Sequence, residues 1–462
     1  MSDAGLQAAR QKMIDAGVSG PAIEVFSTFY RQLESGETGL IREDTIEPLL
    51  DPPMLADVDI SDEAATDAIG KTVIIKLNGG LGTSMGLDKA KSLLEVRDGL
   101  TFLDLIARQV LAAREQYGAR LPLVLMNSFR TDDDTLEFLA KYPELAVDGV
   151  PLSFVQNQEP KLRADDLTPV EWEADPTLEW CPPGHGDLYP ALEGSGTLDA
   201  LLAQGFRYAC VSNGDNLGAS PNATIAGWFA QSGAPYAAEL CRRTINDRKG
   251  GHLAIRKADG QLILRDTAQT APEEMDYFTD EHRHPFFHTN NLWFDLQQLR
   301  DTLVERNSVL GLPLIRNEKT VDPADSSSTP VIQIESAMGA AIEVFDGATA
   351  ICVGRDRFLP VKTTNELLLL RSDAYDLDDA GHLILRAAAS PEISLSKAYK
   401  TVQAFERRIP SAPSLREATA LRVRGDWTFG AGVKVLGEVE LTDEGRPGTI
   451  PDGAVLGGAS EA

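Results

Sequence analysis

From residue 66 to about 365, short β-branched runs alternate with helical stretches. That alternation restricts the chain to a layered α/β fold around a mainly parallel sheet. Strands are predicted at 72–77 (TVIIKL), 122–126 (PLVLM), 151–155 (PLSFV), 207–212 (RYACVS), 236–241, 252–256, 262–264 and 287–293. Helices are predicted at 101–116, 132–141, 195–204, 221–232 and 296–304. In such sheets ligands collect at the carboxyl ends of the strands. The first strand runs straight into a loop, KTVIIKLNGGLGTSMGLDKAKS (71–92), that holds Gly79, Gly80, Gly82 and Gly86, followed by Lys89 and Lys91. Glycines let backbone N–H groups close around an anion, and the lysines can neutralise it. Taken alone, the loop reads equally well as a nucleotide phosphate site or a flexible turn. It matches neither GxxxxGK[ST] nor a clean GxGxxG fingerprint.

The flanks differ from this centre. Residues 1–65 read as a peripheral helical region: Ile23, Val25, Phe26 and Phe29 fall at helical spacing, and Gly36 or Gly39 can end that helix. Residues 66–375 form the expected catalytic domain. In 376–462, apolar residues recur every six positions: Ile409, Leu415, Leu421, Trp427, Val433 and Val439, with a second phase at Val423, Phe429, Val435 and Leu441. A six-residue period predicts a β-helix, whose stacked rungs repeat that spacing.

Composition narrows the function classes. A net charge of −27 argues against nucleic acid as a partner. A phosphate site on this chain must be a basic island, so each well-placed lysine carries more weight. No apolar run is long enough to span a membrane, and the N-terminus lacks the apolar core of a secretory signal. Four scattered cysteines, Cys181, Cys210, Cys241 and Cys352, form no CxxC pair, which fits a reduced cytoplasm.

Four more segments set polar groups among glycine, proline or aromatic residues. In EWCPPGHGDLY (179–189), His185 lies between Gly184 and Gly186, presented by the backbone. In VSNGDNLGA (211–219), Asp215 follows a strand end, a position suited to Mg²⁺, which takes one or two carboxylates plus phosphate oxygens. In FHTNNLWFDL (287–296), paired amides suit sugar hydroxyls. In QIESAMGAAIEVF (333–345) Glu335 can accept from a hydroxyl, and in RDRFLPVKTTNEL (355–367) Lys362 follows a proline, where a long cation reaches into a cleft.

Together, LNGGLGTSMG (77–86), KS (91–92), TFLDL (101–105), PLVLMNSF (122–129), PPGHGD (182–187), NLGA (216–219), TNNLW (289–293) and RFLPVKTT (357–364) closely resemble the UTP–glucose-1-phosphate uridylyltransferase family in its eukaryotic form. The likeness runs from about residue 22 to the C-terminus. It implies a GT-A-like, Rossmann-like nucleotidyltransferase domain, an N-terminal helical segment and a C-terminal left-handed β-helix. The implied reaction joins UTP and glucose 1-phosphate into UDP-glucose and pyrophosphate, with Mg²⁺. By the same resemblance, Leu77, Asn78, Gly79 and Gly80 hold the uridine and its phosphates, Gln156 and Gly184 meet the uracil, and His185 touches the diphosphate or sugar. Asp215 binds the metal. Asn216, Asp266, Asn290 or Asn291, and Glu335 meet the sugar side. Lys91 and Lys362 are the catalytic cations. The partners are then these small molecules, with no nucleic acid and no membrane, and the β-helix offers a route to homo-oligomers.

Some positions depart from the family pattern: Ala90 stands for a proline, Asp266 for a glutamate, and His288 for an asparagine. Three other readings compete: a pyrophosphorylase for another sugar 1-phosphate, a non-catalytic nucleotide-sugar sensor, and a purely structural β-helix protein.

Overall fold

The computed structural model of the chain describes residues 2–244, 247, 250–443 and 445–458. Its central sheet has seven strands: β1 (Thr72–Asn78), β2 (Leu123–Asn127), β3 (Ser153–Val155), β4 (Tyr208–Asn213), β5 (Tyr236–Arg242), β6 (Phe286–Asp295) and β7 (Thr349–Cys352). They lie in the order β7-β5-β6-β4-β1-β2-β3. The strands β4, β1, β2 and β3 are mutually parallel. Only β6 runs the other way, antiparallel to both β4 and β5, while β7 pairs in parallel with β5.

Both faces of this sheet are buried, which is why its strands read as nearly continuous apolar runs. Alternate residues serve opposite cores. Ile74, Leu123, Leu125, Cys210 and Trp293 face a core shared with helices Phe102–Tyr117 and Ala223–Ser232. Val73, Ile75, Val124, Val211 and Phe294 face a second core against helices Gly20–Ser35, Leu188–Gly194 and Leu296–Glu305. The helix 20–35 begins where the Ser19 hydroxyl accepts from the Ala22 N–H, and ends at Gly36 in the left-handed region (φ 81°).

Two small sheets flank the central one. Strand Ile46–Pro48 pairs with His252–Arg256, which pairs with Leu262–Arg265. The N-terminal region is therefore not purely helical. It supplies an edge strand to a hairpin that helps wall the site, because Ile46 buries itself against Ala254 and Ile263. The second small sheet joins Leu162–Arg163, Pro330–Glu335 and Ile315–Thr320.

Beyond the antiparallel pair Tyr375–Leu377 and Leu383–Leu385, every strand pair from residue 392 on is parallel among the described residues. Glu392–Leu395, Ser414–Arg424, Lys434–Thr442 and Val455–Gly457 form one sheet, and Trp427–Phe429 pairs with Gly448–Ile450. Partners fall 18 to 21 residues apart in the later pairs (Leu421 with Val439, Phe429 with Ile450) and 28 apart in the first (Glu392 with Ala420). Most of the six-residue pattern is buried, including Leu415, Leu421, Val423, Phe429, Val433 and Val435, while Trp427 and Leu441 are half-buried. They join the same apolar cluster as Ile74 and Phe102. Among the described residues no helix is long and apolar enough to cross a membrane.

Candidate active site

Two strand ends create the site. In the parallel register Leu77 of β1 lies beside Asn213 of β4, so the loops leaving both strands emerge at one edge. The Gly214 N–H donates to the Leu77 carbonyl (2.9 Å). A side chain at 214 would put its Cβ 2.7 Å from that oxygen, so this turn accepts only glycine without shifting. From the glycine loop, the Lys91 N–H donates to the Gly80 carbonyl (3.0 Å). The Lys91 ammonium then reaches across to Asp215, with Nζ 2.6 Å from Oδ2.

The remaining walls come from β3 and from the loop 182–187. Gln156 leaves β3 with its N–H on the Asn127 carbonyl (2.7 Å). Its side chain lies against Gly79, where a Cβ would meet Oε1 at 2.8 Å. The histidine loop is clamped by Ser336, whose N–H donates to Pro183 and whose carbonyl accepts from Gly186. His185 Nδ1 accepts from the Met338 N–H (2.9 Å). Burial holds the imidazole below its usual range. The neutral ring therefore carries its proton on Nε2, as a donor.

These residues enclose a cleft of about 340 Å³ lined by Leu77, Asn78, Gly79, Gly80, Lys91, Gln156, Gly184, His185 and Asp215, all of them expected from the sequence. A second cleft of about 330 Å³ shares His185 and Asn213 with the first and adds Asp266, Asn290 and Lys362. Lys362 arrives there through backbone pairing: Asn216 bridges Pro360, and the Val361 N–H donates to the Asp215 carbonyl (3.2 Å). Its side chain is exposed, with no ion pair among the described residues. Asp266 caps the turn 267–269 by accepting from the Thr267 N–H, and still lines the cleft.

Three expected residues sit elsewhere. Asn216 and Asn291 are interior, not on a wall facing a sugar. The Asn216 amide donates to Asn291 Oδ1 and its oxygen accepts from the Gly218 and Leu359 N–H groups. Asn291 donates to Glu239. Their hydrogen-bonding capacity is spent on tying β4, β6 and the segment before Lys362 together, so of the adjacent asparagines it is Asn290 that reaches the cleft. Glu335 lines neither cleft. It packs behind Gly184, with its carboxylate 3.9 Å from Lys319 Nζ. Asn78 keeps its place on the wall, but its amide is committed to Asn127 and Thr135.

The structure also gives places to residues for which no role was expected. Lys76, mid-strand in β1, is fully buried and donates to Ser212 Oγ (2.8 Å) and the Ala219 carbonyl (2.7 Å). Burial lowers its ammonium to about 8. Behind Asn216 and Asn291, Arg357 and Glu239 form a buried ion pair (2.7 Å), and Trp293 also donates to Glu239. His288 lines the second cleft; burial beside His185 pushes it down to about 3, so it is neutral there. A charged residue inside an otherwise apolar strand was the signal for Lys76. Nothing in the sequence pairs Glu239 with Arg357, 118 residues on.

A sequence model described as UTP–glucose-1-phosphate uridylyltransferase matches residues 23–436. The chain belongs to that family. Family members named UTP–glucose-1-phosphate uridylyltransferase from Solanum tuberosum and Saccharomyces cerevisiae are each 42% identical over 394 residues. The match covers 84% of this chain, with 80% of the first relative and 77% of the second. Among solved structures, a mutant UDP-glucose pyrophosphorylase from Leishmania major in complex with UDP-glucose superposes with a TM-score of 0.91. That structure is 44% identical, and the match covers 98% of each chain. A UDP-glucose phosphorylase structure from Trypanosoma brucei gives 0.90 at 43% identity, again over 98% of each chain. The mixed α/β fold of this chain is therefore that of the family.

Proposed function

We propose that this protein transfers a uridylyl group from UTP to glucose 1-phosphate, giving UDP-glucose and pyrophosphate reversibly. The observation that carries this is the pair of joined clefts. One holds the glycine loop, Gln156, Lys91 and Asp215; the other brings Lys362, Asn290 and Asp266 to the shared residues His185 and Asn213. The first suits a nucleotide and the second a sugar phosphate, with the reacting phosphates between them.

In this reading Gln156 and Gly184 receive the uracil, and the backbone of Leu77–Gly80 receives the ribose and phosphates. A phosphate oxygen of the sugar phosphate attacks the α-phosphorus in line. The new O–P bond forms as the bond to the bridging β-oxygen breaks, and pyrophosphate carries away the electron pair. No covalent enzyme intermediate is required, so positioning and charge neutralisation carry the catalysis. Lys362 steadies the reacting phosphates, Lys91 the nucleotide, and the Nε2–H of His185 donates to an oxygen at the junction. Asn290 and Asp266 meet the sugar hydroxyls.

Asp215 is the residue that would hold Mg²⁺. A lone carboxylate at a strand end fits an ion that takes most of its ligands from phosphate and water. Among the described residues no group of three or more acidic, histidine or cysteine side chains offers an all-protein cage. When bound, the ion supplies positive charge to the phosphate oxygens.

The central sheet, with one reversed strand among parallel ones, supports a GT-A-like reading. The parallel C-terminal pairs, mostly at offsets of 18 to 21 residues, support a β-helix for 376–462, left-handed by the family resemblance, after a peripheral region 1–65 and a catalytic part 66–375. Four buried free cysteines agree with a reducing, cytoplasmic setting. Association of copies through the C-terminal β-helix would use the edge strand Val455–Gly457, the last of the parallel sheet, on which Val455 is exposed.

Release of pyrophosphate from UTP and Mg²⁺, measured with glucose 1-phosphate, with galactose 1-phosphate, with N-acetylglucosamine 1-phosphate and with no sugar, tests the reading. Glucose 1-phosphate is expected to give the highest kcat/KM. Equal rates with all three sugars would remove the assignment to glucose, and no sugar-dependent release would remove the activity.

A further inference from the structure

Lys91 and Asp215 meet inside the nucleotide cleft. Asp215 is the only carboxylate, and Lys91 the only ammonium, among the described residues lining the nucleotide cleft. Their side chains touch at 2.6 Å and are each about one-fifth exposed, at 18% and 20%. The lysine is not free to swing at random. Its N–H is fixed to the Gly80 carbonyl. Its stem packs on Gly82, where a Cβ would come within 3.3 Å of Lys91 Cγ. Gly82 in turn sits at φ 63°, in the left-handed region. The loop thus aims the ammonium at the carboxylate that suits the metal.

We infer that Lys91 and a divalent cation compete for Asp215, and that a nucleotide's phosphates resolve the competition by giving the ammonium another anion. This rests on the reading of Asp215 as the metal ligand. An ammonium and a divalent ion on one carboxylate place three positive charges against one negative charge in a partly desolvated cleft, where screening is weak. A polyphosphate reverses that balance. The lysine is then a gatekeeper as well as a phosphate ligand: it disfavours the bare ion and favours the ion that arrives with a nucleotide.

The test is Mn²⁺ binding to the full chain without nucleotide, followed by electron paramagnetic resonance of the free ion. Thermal melts establish that each variant is folded. Lys91→Met is expected to bind Mn²⁺ about tenfold more tightly than the parent protein, because the competing charge is gone. Lys91→Arg, which keeps the charge, is expected to bind as the parent does. So is Lys89→Met, which removes a neighbouring exposed lysine from the same loop. Adding Asp215→Asn to Lys91→Met is expected to erase the gain.

Lys91→Met binding no more tightly than the parent, including no binding at all, overturns the inference. An equal gain in Lys89→Met also overturns it, because the effect is then general charge. A gain that survives Asp215→Asn overturns it too, by moving the ion elsewhere. These outcomes are independent of the sugar-dependent pyrophosphate assay, so an active uridylyltransferase without the Lys91→Met gain separates the failure of this inference from the failure of the functional reading.

Discussion

Two lysines of this chain show how position sets the use of the same side chain. Lys76 is buried, holds two hydrogen bonds and braces the floor beneath the cleft. Lys362 is exposed, has no ion pair among the described residues and lines the second cleft, where the proposed reaction places the sugar phosphate. Lys362→Ala is therefore expected to lower kcat by about 10²–10³-fold, the scale for losing one preorganised charge or donor at a reacting centre, with an unchanged thermal midpoint. A loss of stability matching the loss of rate would assign it a structural role instead. Gly184 is constrained from both sides: φ is +78°, and a Cβ would stand 2.6 Å from the Ser336 carbonyl. Gly184→Ala is expected to cost about 1–3 kcal/mol in urea unfolding and to raise the KM for UTP more than it lowers kcat. Near-parental values of both would show that the loop relaxes freely.

Elements matter here mainly through what ties their ends together. The segment 355–362 is irregular, yet it delivers Lys362 because Pro360 and Val361 pair with 215–216 and because Arg357 is anchored to Glu239 on β5. That ion pair is buried on both sides, with side-chain exposures of 4% and 0%. Removing one partner of such a pair strands the other charge in the interior, at about 3–5 kcal/mol. Arg357→Met is expected to show a loss of that size in urea unfolding. The double variant Arg357→Met/Glu239→Gln is expected to recover most of it, since a neutral glutamine at that position can still accept from Trp293. A double variant as unstable as the single one would contradict the charge argument. At this scale the sequence was legible in most respects. Most strands and helices of the centre follow from apolar period, and nine of the residues lining the nucleotide cleft are expected from the glycine loop and the family resemblance together. The misplacement of Asn216, and the choice left open between Asn290 and Asn291, have a definite cause: an amide in a polar motif looks the same whether it faces a ligand or another buried amide, and only the packing of β6 on β4 distinguishes the two.

For the molecule as a whole, acidity and burial combine to make stability depend on pH. Asp187 lies in the histidine loop, 3% exposed, accepting from the N–H and side-chain amide of Asn157. Burial outweighs those bonds and pushes the carboxyl up to about 7. A carboxyl raised on folding binds its proton more tightly in the native state. Its contribution is thus fully present below about pH 4, the unfolded value, and is lost as pH rises through about 7. Asp187→Asn is expected to flatten the fall of unfolding free energy between about pH 4 and 7 relative to the parent, measured by urea titration at stepped pH. Parallel curves for the two proteins would exclude Asp187 as the source. The same scale explains why residues 376–462 are not a loose appendage: Leu421, Val423 and Phe429 are buried in one apolar cluster with Ile74 and Phe102 of the central fold.

By itself the sequence determined the layered α/β centre, the parallel-prone C-terminal period, the glycine loop and the family resemblance. The first three are written in spacings of fewer than about twenty residues, where backbone geometry translates pattern directly into structure, and the resemblance is the sum of short motifs spread along the chain. Only the tertiary structure decided which polar residues face the cleft, that Lys91 lies on Asp215, and that Glu239, Arg357 and Lys76 carry the wall from behind. Those relations join positions more than about a hundred residues apart through sheet register and burial, and no local pattern encodes the register of strands that have not yet met.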